Sequence, residues 1–94
     1  MEIRWLHPAL DDLAAIIRFI AEDDPAAALS CAAAIREGVD RLLATFPAGG
    51  RVGRWAETRE LVLPPYIIAY RMTEDALEIL AVLHSRQAWP EETA

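Results

Sequence analysis

The sequence predicts an α+β fold in which an N-terminal strand and an antiparallel helix hairpin precede a three-stranded antiparallel meander, in the order β-α-α-β-β-β. Three observations predict it. Apolar residues recur every third or fourth position from Leu10 to Phe46, the spacing of helices that bury one face. Branched and aromatic residues dominate from Thr58 to Ser85, the composition of strands. Proline, glycine and acidic clusters punctuate the chain between these segments. With 94 residues, 54% of them hydrophobic, the chain fills one domain, residues 1–94, around one core.

Each element has its own warrant. Glu2-Ile3-Arg4-Trp5-Leu6 alternates polar and apolar and stops at His7-Pro8, as a short strand does. Pro8 suits a helix start, Asp11 and Asp12 favour the positive end of the helix dipole, and Leu10, Leu13, Ile16, Ile17 and Ile20 form one stripe. Asp24 can cap a second helix with Pro25 in its first position, its apolar side running Ala28, Ala32, Ile35, Val39, Leu42 and Phe46. The small residues Ala32, Ala34 and Gly38 allow the first helix a close approach. Pro47-Ala48-Gly49-Gly50 ends this helix, and a looser segment to about Glu57 leads into strands at Thr58–Leu63, Tyr66–Met72 and Leu77–Ser85. Thr73-Glu74-Asp75-Ala76 is a turn. Pro64-Pro65 cannot supply the positive φ of a tight hairpin turn, so a cis Pro65 or a wider loop is expected.

Counting register through these turns assigns two faces to the sheet. Leu61, Leu63, Ile68, Tyr70, Met72, Leu77, Ile79, Ala81 and Leu83 are expected beneath the helices. Glu60, Val62, Ile67, Ala69, Arg71, Glu78, Leu80, Val82 and His84 are expected on the other face, with Arg71 opposite Glu78. That second face is apolar enough to mark a partner surface, unless strand one or the tail covers it.

Composition narrows the functional classes. The net charge of −6 and pI near 4.7 argue against a broad basic surface for nucleic acid and against direct DNA binding by the chain alone. Residues 1–50 carry four Arg against eight acids and residues 51–89 five Arg against five, so any anion-facing surface belongs to the C-terminal half. The longest uncharged apolar stretch, Leu61 to Tyr70, falls short of the roughly 20 residues of a membrane span, and the N-terminus does not read as a signal peptide. Cys31 is the only cysteine, which fits a reducing cytoplasm. One cysteine inside a helix and two distant histidines give no metal-ligand spacing, and no cofactor motif is present, so neither is expected.

Two segments combine Arg with Trp, the residue types of binding hot spots: Arg51-Val52-Gly53-Arg54-Trp55 and Arg86-Gln87-Ala88-Trp89-Pro90. Arg51, Arg54, Trp55, Arg59, Arg86 and Trp89 are therefore candidate target contacts, the tryptophans being alternatively lids on the core. His84 is either a structural hydrogen-bonder at a strand end or a general acid, its ordinary pKa suiting proton transfer near neutrality.

The run Asp11-Asp12-Leu13, the segment Pro47 to Gly53, Thr58-Arg59-Glu60-Leu61, the strand Tyr66 to Tyr70 and Ala81-Val82-Leu83-His84-Ser85-Arg86-Gln87, in that order, resemble the RelE/ParE superfamily of toxins from bacterial type II toxin–antitoxin systems. The resemblance implies a toxin neutralised by a cognate antitoxin, serving plasmid or chromosome stability, in a hetero-oligomer of 2:2 or larger. RelE-like members are ribosome-dependent mRNA endonucleases and ParE-like members poison DNA gyrase. The ParE branch fits better, because the second basic residue that RelE-like nucleases carry on the first long strand is here Glu60 and the residue after Tyr66 is Ile67, not arginine. An acid beside a scissile phosphate opposes the charge that develops there. On the ParE reading no catalytic residue is expected; on the RelE reading His84, Arg59 and Arg86 form the catalytic set. A non-toxic interaction module on the same fold is a further alternative. The antitoxin's C-terminal segment is expected to lay a helix or an added strand against Val62, Ile67, Ala69, Arg71, Leu80 and Val82.

Overall fold

The computed structural model describes residues 2–90. Its elements follow the expected order, with one short strand added: β1 (Glu2–Trp5), α1 (His7–Ala21), α2 (Pro25–Thr45), β2 (Arg51–Val52), β3 (Arg59–Leu63), β4 (Tyr66–Met72) and β5 (Ala76–His84). The five strands form one mixed sheet in the order β1-β5-β4-β3-β2. β1 lies at the edge, parallel to β5, and the meander is antiparallel throughout. The helix hairpin covers one face.

Local chemistry accounts for the helix ends. Asp24 caps α2, its Oδ1 accepting from Ala27 N at 3.1 Å, with Pro25 in the first turn where no amide is needed. α1 begins at His7, a residue before Pro8, with no side-chain cap, so Asp11 and Asp12 lie beyond its first turn. Their expected role at the dipole is replaced by a specific bond: Asp12 Oδ2 accepts from Val82 N of β5 at 3.0 Å. This bond ties α1 to the sheet.

The helix-side core joins Ala9 and Leu13 of α1, Ile35, Val39 and Leu43 of α2, and Leu61, Ile68, Tyr70, Leu77, Ile79 and Val82 of the sheet. Two stripes shift from their expected positions. In α1 Ala9 is buried and Leu10 exposed; in α2 Leu43 takes the place of Leu42 and Phe46, which face outward. Gly38 admits the Leu63 side chain of β3, to which a Cβ would stand 2.8 Å away, rather than the first helix, and Ala34 is exposed. The Pro64–Pro65 peptide is cis, one of the two outcomes the sequence leaves open, and Arg71 Nε meets Glu78 Oε1 at 2.7 Å, the cross-strand pair the register predicts.

The two-face assignment holds for β3 and β4 and fails in the second half of β5. Ala69 faces Ala81 while Tyr70 faces Ile79, so Leu80 is an extra residue, a bulge. One extra residue inverts the face of everything after it. Val82 and His84, expected on the far face, turn toward the helices, and Ala81 and Leu83, expected beneath the helices, turn away. Met72, expected in the core, is 40% exposed at the strand end.

The far face is closed by the chain itself. Ala69, Ala81 and Leu83 form a second small core under Trp55 from the β2–β3 loop and Trp89 from the tail. Burying an indole stabilises by about 2–3 kcal/mol when complete, so two partly buried indoles suffice to hold a small lid. Ile67, Ala69 and Val82, expected as parts of an open docking patch, are 5%, 0% and 2% exposed; Leu80 and Arg71 of that group are half-buried and Val62 is exposed.

Candidate functional site

The sheet end that carries β2 gathers four of the nine arginines, Arg51, Arg54, Arg59 and Arg71. Arg51 and Val52 pair with Glu60 and Arg59 across the short β2–β3 ladder. The Glu60 side chain is 2% exposed and accepts from Arg51 Nη2 at 2.9 Å and from Arg54 Nε at 3.1 Å, while Arg54 N donates to it at 2.9 Å. Burial pushes the Glu60 carboxyl up, and the Arg54 amide with the guanidiniums of Arg54 and Arg51 outweighs it, so the group sits below the ordinary glutamate range. The carboxylate is thus a buried anchor for two half-exposed arginines and presents no charge to a ligand. The electrostatic objection to an RNase, that Glu60 would repel a phosphate, does not apply in this arrangement.

The connecting loop is tightly built. Gly53 N donates to Thr58 O at 2.8 Å and Thr58 Oγ1 to Trp55 O at 2.7 Å. A Cβ at Gly53 would collide with the Thr58 hydroxyl, and Glu57 takes a left-handed φ of 59°. Such a conformation in a non-glycine residue is uncommon and persists only where surrounding bonds hold it. The loop delivers Arg54 and Trp55 to one spot: the Arg54 guanidinium stacks 3.7 Å from the Trp89 ring centre, Trp55 meets Trp89 edge to face at 5.1 Å, and Trp55 Nε1 donates to Pro90 O at 3.3 Å. Arg59 is held nearby, its Nη1 donating to Gly50 O at 2.9 Å. A shallow cavity of about 590 Å³ opens between this loop and the ends of β3 and β4, lined by Arg54, Trp55, Arg59 and Arg71.

Five of the six candidate target contacts, Arg51, Arg54, Trp55, Arg59 and Trp89, therefore share this end and its neighbouring face. Arg86 does not join them through any contact: it sits at the turn after β5, where its amide donates to His84 Nδ1 at 3.1 Å. That bond makes Nδ1 an acceptor and leaves any ring proton of neutral His84 on Nε2. His84 also packs edge to face on Tyr66 at 5.7 Å. In the register Arg59 faces Tyr70, and His84 faces Tyr66 from the other side of β4. Four residues along β4 and two strand spacings put Arg59 and His84 roughly 16 Å apart at the backbone. The three residues of the expected nuclease set do not converge.

On the helix side, a groove of about 430 Å³ runs between α1 and the end of β5, lined by Asp12, Ile16, Phe19 and Ile20 opposite Tyr66, Val82, His84 and Gln87. Phe19 is 75% exposed beside it. Burial lifts the Asp12 carboxyl above the ordinary aspartate range; the bond from Val82 N pulls it down and Asp11 adds to the rise. Sequence reasoning missed the roles of Asp12, Glu60 and Gln87. For Glu60 a signal existed, since an acid inside an apolar strand implies a partnered charge and two arginines stand just upstream. Among the described residues no group of three or more metal-ligating side chains is assembled, and no helix is long and apolar enough to cross a membrane.

A family model described as the ParE toxin of the type II toxin–antitoxin system, parDE, matches residues 3–89. The chain belongs to the ParE toxin family. This ParE-family chain is 50% identical over 91 residues to Y4kP, a provisionally named toxin of Sinorhizobium fredii, covering 95% of the chain and 93% of that protein. It is 35% identical over 85 residues to toxin RelE2 of Caulobacter vibrioides, covering 89% of the chain and 94% of that protein. Among solved structures it resembles a chain of the chromosomal ParDE system of P. aeruginosa, with a TM-score of 0.79 and 26% identity over 89% of this chain and 95% of the other. It shares its fold with a chain of the RelBE2 toxin–antitoxin complex of Mycobacterium tuberculosis, with a TM-score of 0.66 and 23% identity over 88% of this chain and 95% of that one.

Proposed function

We propose that this ParE-family chain acts as a gyrase poison, binding the enzyme without chemistry of its own and held inactive by a cognate antitoxin in a cytoplasmic hetero-oligomer. The observation that carries the reading is the separation of Arg59 from His84 across the sheet, together with the convergence of Arg54, Trp55 and Trp89 at the end that carries β2 and Arg59. Cleaving RNA without a metal needs an acid, a base and a phosphate-binding charge within about 3 Å of one reacting centre. Binding a protein needs anchored Arg and aromatic side chains on a preformed surface, which the braced β2–β3 loop provides. Arg51, Arg54, Trp55, Arg59 and Trp89 are the proposed target contacts, with Arg86 at their periphery.

Expression of the chain without its antitoxin tests this. The expected outcome is growth arrest with an early DNA-damage response and translation still running, and His84→Ala as toxic as the wild type. Translation failing first, with His84→Ala harmless, supports a ribosome-dependent nuclease instead. That second reading draws on the similarity to a relative named RelE2 and on the neutralised Glu60. Unimpaired growth points to a non-toxic interaction module.

A further inference from the structure

Charge does not balance at the sheet end that carries β2. Glu60 alone serves both Arg51 and Arg54, and Glu78 serves Arg71. Arg59 is half-buried and makes no ion pair among the described residues; its Nη1 donates to Gly50 O at 2.9 Å and to Ala48 O at 3.4 Å, both neutral acceptors. A guanidinium is always charged and carries five N–H donors, so Arg59 keeps donors and charge in reserve. With Glu57 counted beside Glu60 and Glu78, three acids stand against four arginines, and one positive charge is left over in a chain of net charge −6.

The cavity of about 590 Å³ at this end has walls of two kinds. Arg54, Arg59 and Arg71 line it together with Val52, Trp55 and Met72. Val52 is 82% exposed and Met72 40%, so apolar surface lies in water directly beside the guanidiniums. Such a wall suits a ligand that brings one negative group with an apolar neighbour. Glu57, on the same cavity, limits how much negative charge enters. A nucleic-acid backbone sets a phosphate at every step against a site with one charge to spare, and the chain's net −6 repels it at longer range. A single carboxylate meets the surplus without exceeding it, and its bonds to a guanidinium are of the strong, charge-assisted kind. The loop that carries Arg54 and Trp55 is already fixed by Glu60 and by the Thr58 bonds, so little ordering is left to be done on binding.

We infer that this cavity takes one Asp or Glu side chain of a protein partner, Arg59 supplying the counter-charge and an apolar residue beside the acid packing on Val52, Trp55 and Met72. The inference rests on the reading of the chain as a gyrase poison, and it gives the target segment a chemistry: acidic and apolar, not phosphate.

The test uses the full chain and three small probes: a capped Leu-Glu-Leu peptide, its Leu-Gln-Leu counterpart and inorganic phosphate. NMR follows the indole N–H of Trp55 and the side-chain N–H of Arg59. The acidic peptide is expected to shift both signals saturably, with a dissociation constant on the order of 1 mM, and the neutral peptide and phosphate to bind at least about tenfold more weakly. Arg59→Gln should abolish the response. Met72→Glu, which sets an acid on the cavity wall, is the second variant should Arg59→Gln fail to fold. Arg41→Gln, on the exposed side of α2, should leave it within about twofold. Purified gyrase is then titrated with the same variants, and Arg59→Gln and Met72→Glu should each weaken its affinity by about tenfold or more. Equal response to both peptides overturns the carboxylate. Phosphate binding as tightly as the acidic peptide overturns the acidic-apolar segment in favour of a bare anion site. Tighter peptide binding by about tenfold after removal of residues 91–94 assigns the cavity to the chain's own Glu91 or Glu92 and overturns the partner. Gyrase binding that ignores both cavity variants overturns the placement of the target segment and leaves the gyrase reading standing. A wild type that binds the acidic peptide but not gyrase overturns the gyrase reading and leaves the site.

Discussion

Replacing Glu60 by Gln removes a buried charge while keeping the side chain's shape. Glu60 accepts five hydrogen bonds, from Arg51 Nε and Nη2 and from Arg54 N, Nε and Nη2. Gln retains an acceptor for Arg54 N and turns an NH₂ toward a guanidinium. Charge-assisted bonds contribute about 1.5–3 kcal/mol each when buried, but both arginines are about half exposed and water compensates much of their loss. A net cost of about 2–3 kcal/mol follows, which in a domain of this size lowers Tm by roughly 10–20 °C. The pH dependence adds an independent check. The folded-state pKa of Glu60 is depressed, so its contribution is fully present above the unfolded value near 4.5 and fades as pH falls through the folded one. Thermal melts followed by circular dichroism at pH 7 and at pH 3.5 should show the gap between wild type and Glu60→Gln narrowing in acid. A gap under about 2 °C at pH 7, or one that stays constant down to pH 3, would refute the view of Glu60 as an ionised anchor.

Asp12 should behave with the opposite sign: its folded pKa is raised, so ionisation costs stability above the folded value and that cost is absent below the unfolded one. Asp12→Asn keeps an acceptor for Val82 N and is expected to gain stability over wild type at pH 7, the advantage disappearing in melts near pH 3. Tyr70→Phe leaves the buried Gly50 N–H, now 2.8 Å from the hydroxyl, without a partner, and should cost about 1–3 kcal/mol in urea titrations. Gly53→Ala drives a methyl into the Thr58 hydroxyl and backbone; a loss of about 1–3 kcal/mol is expected, with weaker toxicity on expression because Arg54 and Trp55 are displaced. Trp89→Ala should abolish most of the near-ultraviolet dichroism of the Trp55–Trp89 pair and, on the proposed function, weaken toxicity on expression, with the helix signal unchanged.

Periodicity made the helices, the meander and both short turns legible, since their apolar spacing and breakers were unambiguous. The bulge at Leu80 was not. β5 reads Ala-Leu-Glu-Ile-Leu-Ala-Val-Leu-His, apolar on both sides of the strand after Glu78, so no polar residue marks the point where the phase inverts. Had Ala81 been a lysine, its position outside the helices would have been visible. β2 was missed because two exposed residues carry no pattern; it exists because Glu60 draws Arg51 and Arg54 toward β3. The candidate contacts were found by residue type, but their grouping was not, because Arg54 and Trp89 meet across 35 residues only once the sheet is formed. Along α2 the exchange of Leu42 and Phe46 for Leu43 is a rotation of the buried stripe by one residue, within what a 3.6-residue repeat leaves undetermined over five turns.

The two sides of the sheet are shut with unequal permanence. The helix layer is continuous chain of 15 and 21 residues, and lifting it means unfolding the protein. The opposite shutter is a pair of indoles, one carried by the braced six-residue β2–β3 loop and one by the segment after β5, and lifting the Trp89 half leaves every helix in place. Backbone amides of Ala69, Ala81 and Leu83 belong to strands that survive such an opening, so their side chains become wet long before their hydrogen bonds break. A probe of side-chain contact and a probe of amide exchange will therefore report different thresholds for the same three residues.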